Sequence, residues 1–179
     1  MMAATRKSAG APRLAELHLL ARRCGVALVA AGMRLACAES CTGGLIAATC
    51  TGVSGSSDWF EGAFVTYQLT TKCRVLGVSQ LTLQRWGAVS EPTAREMAIG
   101  ALNRCDAAIA VSVTGIAGPT GGDVIHPVGT VWFAWALRMP DGVHVVQTAR
   151  HEFSGERNPV RRAAVATALH GVLSVLAPV

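Results

Sequence analysis

Ala38-Glu39-Ser40-Cys41-Thr42-Gly43-Gly44 is a small polar cluster set between two apolar runs. Leu35-Ala36-Cys37-Ala38 before it reads as a short buried strand, and Leu45-Ile46-Ala47-Ala48 after it as the first turns of a helix. The reactive side chains therefore fall where a strand hands over to a helix N-terminus. The first N–H groups of a helix have no intrahelical partner and carry partial positive charge. Two adjacent glycines let another group approach that backbone with no Cβ in the way. The stretch reads as an active-site turn, with the N–H groups of Gly43 and Gly44 as candidates for holding an oxygen that gains negative charge.

Outward from the turn, the chain alternates helical and extended patterns. Leu14, Leu17, Ala21, Cys24 and Leu28 recur at helical spacing from Arg13 to about Ala31, where Gly32 marks a stop. After the turn a helix runs to about Thr51, followed by the turn-rich segment 52–58. Trp59 to Tyr67 favours a strand. Short helices are expected over Thr70–Leu76 and Leu81–Trp86, each closed by a glycine. Ser90-Glu91-Pro92 starts a longer helix that reaches about Arg104 and buries Ala94, Met97, Ala98 and Ala101.

Ala107 to Thr114 is an almost unbroken apolar strand of the kind covered on both faces in a parallel sheet. It empties into the glycine-rich segment Gly115–Gly122, the place where open α/β sheets hold their ligand crevices. Val128–Leu137 and Val143–Phe153 flank Met139-Pro140-Asp141-Gly142 as an antiparallel hairpin. Asn158-Pro159 then opens a last helix with Val165, Leu169, Val172, Leu173 and Leu176 on one stripe. The pattern predicts an α/β fold, a three-layer α/β/α sandwich around a mixed, partly parallel sheet.

The length of 179 residues suits one domain. Residues 1–12 read as a flexible N-terminal tail without the apolar core of a signal peptide, and 13–179 as the single domain. Hydrophobic residues make up 51% and charged ones 15%, which excludes a disordered or fibrous chain. No apolar run is long enough to span a bilayer, so a membrane role is not expected. The net charge of +5 favours anionic partners, yet the cations are scattered, and a phosphorylated small molecule fits as well as nucleic acid. Six cysteines with no C-x-x-C pair point to reduced thiols and a cytoplasmic location.

Ser40 is a candidate nucleophile, and by position alone equally a helix cap. The five histidines show no metal-binding spacing and none lies near Ser40, so a Ser-His-Asp triad has no support. Lys72 offers the other base: a desolvated lysine loses its preference for the charged form and can take a serine proton. Alone it reads as a surface helix lysine. Tyr67, the only tyrosine, is a candidate relay or a wet strand-end side chain. Cys41 is a rival nucleophile or a buried small hydrophobe. Glu39 and Asp58 are a weak metal pair. Arg157, Arg161 and Arg162 are a solvated face, or one of them grips a phosphate.

Several segments, in this order, resemble the CinA C-terminal domain family: Ala38–Gly44, Gly55-Ser56-Ser57, Phe64-Val65-Thr66-Tyr67 with Lys72, Gly87-Ala88-Val89-Ser90, Val113–Pro119 and Pro127–Val131. The resemblance covers nearly the whole chain after the tail. It implies a stand-alone nicotinamide-nucleotide amidase that hydrolyses the carboxamide of nicotinamide mononucleotide to nicotinate mononucleotide and ammonia, with no metal and no cofactor. It implies Ser40 as nucleophile, Lys72 as base and Tyr67 as relay. Substrate contacts would come from Thr42, Gly43, Gly44, Thr114, Gly115 and Arg157. It further implies a pyridine nucleotide as partner, no nucleic acid, and a homo-oligomer.

The chain departs from the family pattern in two places. Gln68-Leu69-Thr70-Thr71 stands where Ser-Asn-Glu-Ala is usual, and His126 stands where a lysine precedes the proline. The alternative these departures leave open is a catalytically silent nucleotide-binding or regulatory domain of the same fold. A basic nucleic-acid module is the third reading, supported only by net charge.

Overall fold

The computed structural model describes residues 11–177; residues 1–10, most of the expected tail, lie outside them. Six helices and five strands follow in the order α1 (Leu14–Ala30), β1 (Leu35–Glu39), α2 (Leu45–Thr51), β2 (Phe60–Val65), α3 (Leu69–Leu76), α4 (Gln80–Trp86), α5 (Glu91–Leu102), β3 (Ile109–Gly115), β4 (Thr130–Met139), β5 (Gly142–Glu152) and α6 (Arg157–Leu176). A 3₁₀ turn at Ser56–Asp58 leads into β2.

The strands form one sheet in the order β2-β1-β3-β4-β5, with β1 parallel to β2 and β3, and β4 antiparallel to both neighbours. Helices cover both faces. On one face α1, α2 and α6 pack Leu17, Leu28, Ile46, Val165 and Leu169 against Cys37, Val111, Phe133 and Trp135. On the other, α5 and the end of α3 pack Ala94, Met97, Ala98, Ala101 and Leu76 against Ala36, Ala38, Ala110, Ala134 and Ala136. This is the expected three-layer arrangement, and β1 and β3 are buried on both faces, as continuous apolar strands must be.

The second interface is built from small side chains, so its backbones come close. A Cβ on Gly100 would stand 2.0 Å from the Leu76 carbonyl oxygen. Across the sheet Trp135 fills the matching volume: it stacks on Phe133 with ring centroids 5.8 Å apart and donates its indole N–H to the Ala168 carbonyl at 3.0 Å. Its ring lies against Gly171, where a Cβ would meet Cε2 and Cζ2 at 2.1 Å. Either the buried indole or the helix has to shift to admit even a methyl group. Gly171→Ala is expected to destabilise the fold by about 3 kcal/mol, read from a urea unfolding midpoint.

Two of the boundaries that differ from the sequence reading have a clear physical reason. β2 ends at Val65, not at Tyr67, because the chain makes its last ladder bond at Thr66, whose N–H donates to the Glu39 carbonyl at 2.8 Å, and then turns into α3. The last helix begins at Arg157, so Pro159 sits in its first turn, where a missing N–H costs no hydrogen bond. The expected stripe of that helix is buried at Val165, Leu169 and Val172 and half-buried at Leu173 and Leu176.

Candidate functional site

From β1 the chain passes through α2 on one face of the sheet to β2, and from β2 through α3, α4 and α5 on the opposite face to β3, on the far side of β1. Helices leaving in opposite directions open a crevice at the carboxyl ends of β1 and β3. Register fixes what stands there. Glu39 pairs with Val65 on one side and Val113 on the other, and the Ser40 N–H donates to the Val113 carbonyl at 3.0 Å. Pairing thus continues one residue past the strand, and Thr66, Ser40 and Thr114 stand side by side. Thr114 in turn pairs with Trp132. One row of polar residues crosses the rim of the sheet.

Lys72 projects from α3 beside this row. It has no exposed surface, and its Nζ donates to the Thr66 carbonyl at 2.6 Å. Burial disfavours the ammonium and draws its pKa from 10.5 down to about 8, a shift that the neighbouring Cys41 opposes without overcoming. Among the described residues it has no carboxylate partner. The surface-lysine reading is thereby excluded. Ser40 is 8% exposed, and no hydrogen bond joins it to Lys72. Cys41, 5% exposed, is the small buried hydrophobe of its two readings: burial pushes its thiol up to about 12.

Glu39 is fully buried, and its role was not legible as a metal ligand. Its carboxylate accepts the N–H groups of Gly44 at 2.9 Å, Ile46 at 3.1 Å and Ala47 at 2.9 Å, closing the N-terminus of α2. That leaves nothing to share with Asp58, and the described residues hold no cluster of three or more metal-ligating side chains. The same bonds correct the oxyanion expectation. The Gly44 N–H is spent on Glu39 and the Gly43 N–H on the Ser40 carbonyl at 3.1 Å. The glycines serve conformation instead, with φ of 56° at Gly43 and 89° at Gly44. The N–H groups of Cys41 and Thr42 have no acceptor among the described residues.

A glutamine at 39 would offer one oxygen to three donors and turn its own NH₂ towards them. Glu39→Gln is expected to lower stability by about 2 kcal/mol and to speed amide exchange at Gly44, Ile46 and Ala47, both readable by hydrogen exchange.

The remaining candidates divide. Arg157 donates to the Gly118 carbonyl at 2.8 Å and to the Tyr67 hydroxyl at 3.2 Å, so these two meet at the rim, with Tyr67 more than half exposed. Arg161, one turn on, holds the Thr42 carbonyl through Nε at 3.3 Å and Nη2 at 2.7 Å. Arg162 turns away to the Pro12 carbonyl at 2.8 Å. Neither Arg157 nor Arg161 pairs with a carboxylate among the described residues. Helical spacing of four residues was the signal for the Arg157–Arg161 pair; which of the three arginines faced the turn was not readable from it.

Thr42 is buried with its hydroxyl unpartnered, whereas Thr114 donates its hydroxyl to the Ala88 carbonyl at 2.7 Å and keeps only lone pairs for a ligand. Gly115 has a packing reason: a Cβ there would stand 2.5 Å from the Thr130 carbonyl oxygen, so the glycine makes room for β4. Thr66 was not singled out as a site residue, and nothing in its sequence neighbourhood announces its place.

A three-layer α/β protein with a serine turn, a buried lysine and two unpaired arginines around a switch-point crevice is the class this geometry defines. The chain belongs to the CinA C-terminal domain family, whose profile matches residues 17–176. It is 51% identical over 158 residues to the nicotinamide-nucleotide amidohydrolase PncC of Enterobacter agglomerans, covering 88% of this chain and 94% of that protein. The PncC of Escherichia coli K12 is also 51% identical, over 86% of this chain and 91% of its own. The solved structure of the competence/damage-inducible protein CihA from Agrobacterium tumefaciens superposes with a TM-score of 0.82 at 41% identity, covering 92% of this chain and 96% of that one.

Proposed function

We propose that this chain hydrolyses the carboxamide of nicotinamide mononucleotide to nicotinate mononucleotide and ammonia, with Ser40 as nucleophile and Lys72 as general base. Identity to two proteins bearing that activity in their names supports the substrate. The observation that carries the mechanism is Lys72: a fully buried lysine with a pKa near 8, its Nζ held on the carbonyl of Thr66, whose backbone position is one strand spacing, about 4.8 Å, from that of Ser40. Near neutral pH such an amine is neutral in a useful fraction of molecules and basic enough to accept a serine proton.

In this reading Ser40 Oγ attacks the carboxamide carbon as its proton passes to Lys72 Nζ. The N–H groups of Cys41 and Thr42 receive the oxyanion, the residue after the nucleophile being the customary donor at such turns. Tyr67 relays the proton to the leaving amine; its oxygen accepts from Arg157, which leaves its own O–H free to donate. Ammonia departs, and water activated by Lys72 releases the acid. Arg157 and Arg161 attract the phosphate, and Thr42, Thr114 and the backbone around Gly115 border the ring and ribose.

The described residues hold no helix long and apolar enough to cross a membrane, and all six cysteines are free thiols, which supports a cytoplasmic protein. A homo-oligomer remains part of the proposal. Ammonia release from nicotinamide mononucleotide by the purified chain tests the reading. Nucleotide binding without ammonia would favour the silent-domain alternative, which rests on segment 68–71, where Gln68 caps α3 with no side-chain bond.

A further inference from the structure

Four buried side-chain polar atoms among the described residues have no hydrogen-bond partner: Thr42 Oγ1, Thr66 Oγ1, Thr130 Oγ1 and Trp132 Nε1. Buried hydroxyls are nearly always paired in folded proteins, so each orphan asks for a partner. Thr66 is the one bonded to the proposed base. Its N–H is tied to Glu39 at 2.8 Å, its carbonyl holds Lys72 Nζ at 2.6 Å, and its register position is next to Ser40.

We propose that Thr66 is a positioning residue that aims the Lys72 amine at Ser40; the inference rests on the Ser40–Lys72 reading above. A neutral amine has two N–H bonds and one lone pair. With one N–H held by the Thr66 carbonyl, the second N–H and the lone pair can still exchange the two remaining positions about Nζ, so the lone pair has no fixed direction. As Nζ turns towards Ser40, the Thr66 hydroxyl accepts the second N–H and leaves the lone pair facing the serine O–H. The Ser40 proton then moves to that lone pair, and the O–H electron pair forms the bond to the carboxamide carbon. The π pair of the carbonyl moves onto oxygen. When the intermediate collapses, the C–N bond breaks and Lys72 returns the proton, by way of Tyr67, to the leaving nitrogen.

The experiment compares Thr66→Val, Thr66→Ser and Ser40→Ala with the parent in the full chain, measuring kcat and KM for ammonia release from nicotinamide mononucleotide across pH, together with Tm. Valine keeps the shape and removes only the hydroxyl. The expected result is a kcat about 10- to 100-fold lower in Thr66→Val, a KM within about twofold, and a Tm equal to or above the parent's, because an unpaired buried hydroxyl is gone. The acid limb of its kcat profile moves to lower pH, since in the substrate-bound state, with Nζ turned towards Ser40, the ammonium has lost an acceptor. Thr66→Ser restores kcat to within about threefold. A Thr66→Val enzyme as fast as the parent overturns the proposal alone, as does a slow one whose Tm falls and which serine does not rescue. An inactive parent or an active Ser40→Ala overturns the underlying reading, and this proposal with it.

Discussion

Ser40→Ala is expected to lower kcat for ammonia release by about 10⁴-fold or more while leaving nucleotide affinity within a factor of about two. In the proposed mechanism the serine supplies the bond-forming oxygen, and nothing else at the site replaces it. Cys41, its neighbour, is buried with its thiol held near pKa 12, so it cannot substitute as nucleophile near neutral pH. The groups assigned to the phosphate, Arg157 and Arg161, sit on α6 and keep their carbonyl partners Gly118 and Thr42 in the variant. Stability should stay within about 0.5 kcal/mol, because Ser40 makes no side-chain hydrogen bond with Lys72 that alanine would remove. Steady-state ammonia release, nucleotide titration and a thermal melt check all three. Full turnover in this variant would sink the serine mechanism.

Lys72→Met is expected to abolish turnover and stabilise the protein at once. Methionine fills the volume of the lysine stem without its charge. The lysine has no exposed surface, and its pKa falls from 10.5 to about 8, so below pH 8 the native state carries a desolvated ammonium that the unfolded chain solvates freely. That difference costs the parent about 3 kcal/mol.

The pH dependence follows in sign. Below pH 8 both states are protonated and the cost is complete. Between pH 8 and 10.5 the native lysine is neutral while the unfolded one is charged, so parent stability rises with pH. Above 10.5 the cost is gone. Unfolding free energies of Lys72→Met and parent should therefore differ most near pH 7 and converge towards pH 10.5. The parent's kcat/KM should rise with pH through about 8, as the free enzyme's base loses its proton. Equal stabilities at pH 7 would show that the ammonium is solvated in the native state.

Such a trade of stability for activity is the physical mark of a group placed for chemistry. It also shows why the candidate site was only partly legible. The Ser40 turn announced itself through a strand-like run, two glycines and a helix start, all local signals. Lys72 did not: its segment reads as an exposed helix, and only the packing of α3 over the row of Thr66 and Ser40 desolvates it. Glu39 stood out only as part of the polar turn and as one of a weak metal pair; its capping role stayed hidden because the three N–H groups it accepts lie five to eight residues on, around a turn whose shape sequence does not give.

By itself the sequence determined the order and kind of the elements, the buried parallel strands β1 and β3, the β4–β5 hairpin and the strand-to-helix turn at Ser40. These depend on periodicity, capping and turn chemistry, which act within a few residues. Tertiary structure decided that Thr66, Ser40, Thr114 and Trp132 share one row, that Arg161 joins Arg157 at the rim while Arg162 leaves, and that the Gly43 and Gly44 N–H groups are already spent. Each of those depends on the lateral order of strands and on register between segments up to 150 residues apart, and a slip of one residue would turn every side chain of a strand to the other face.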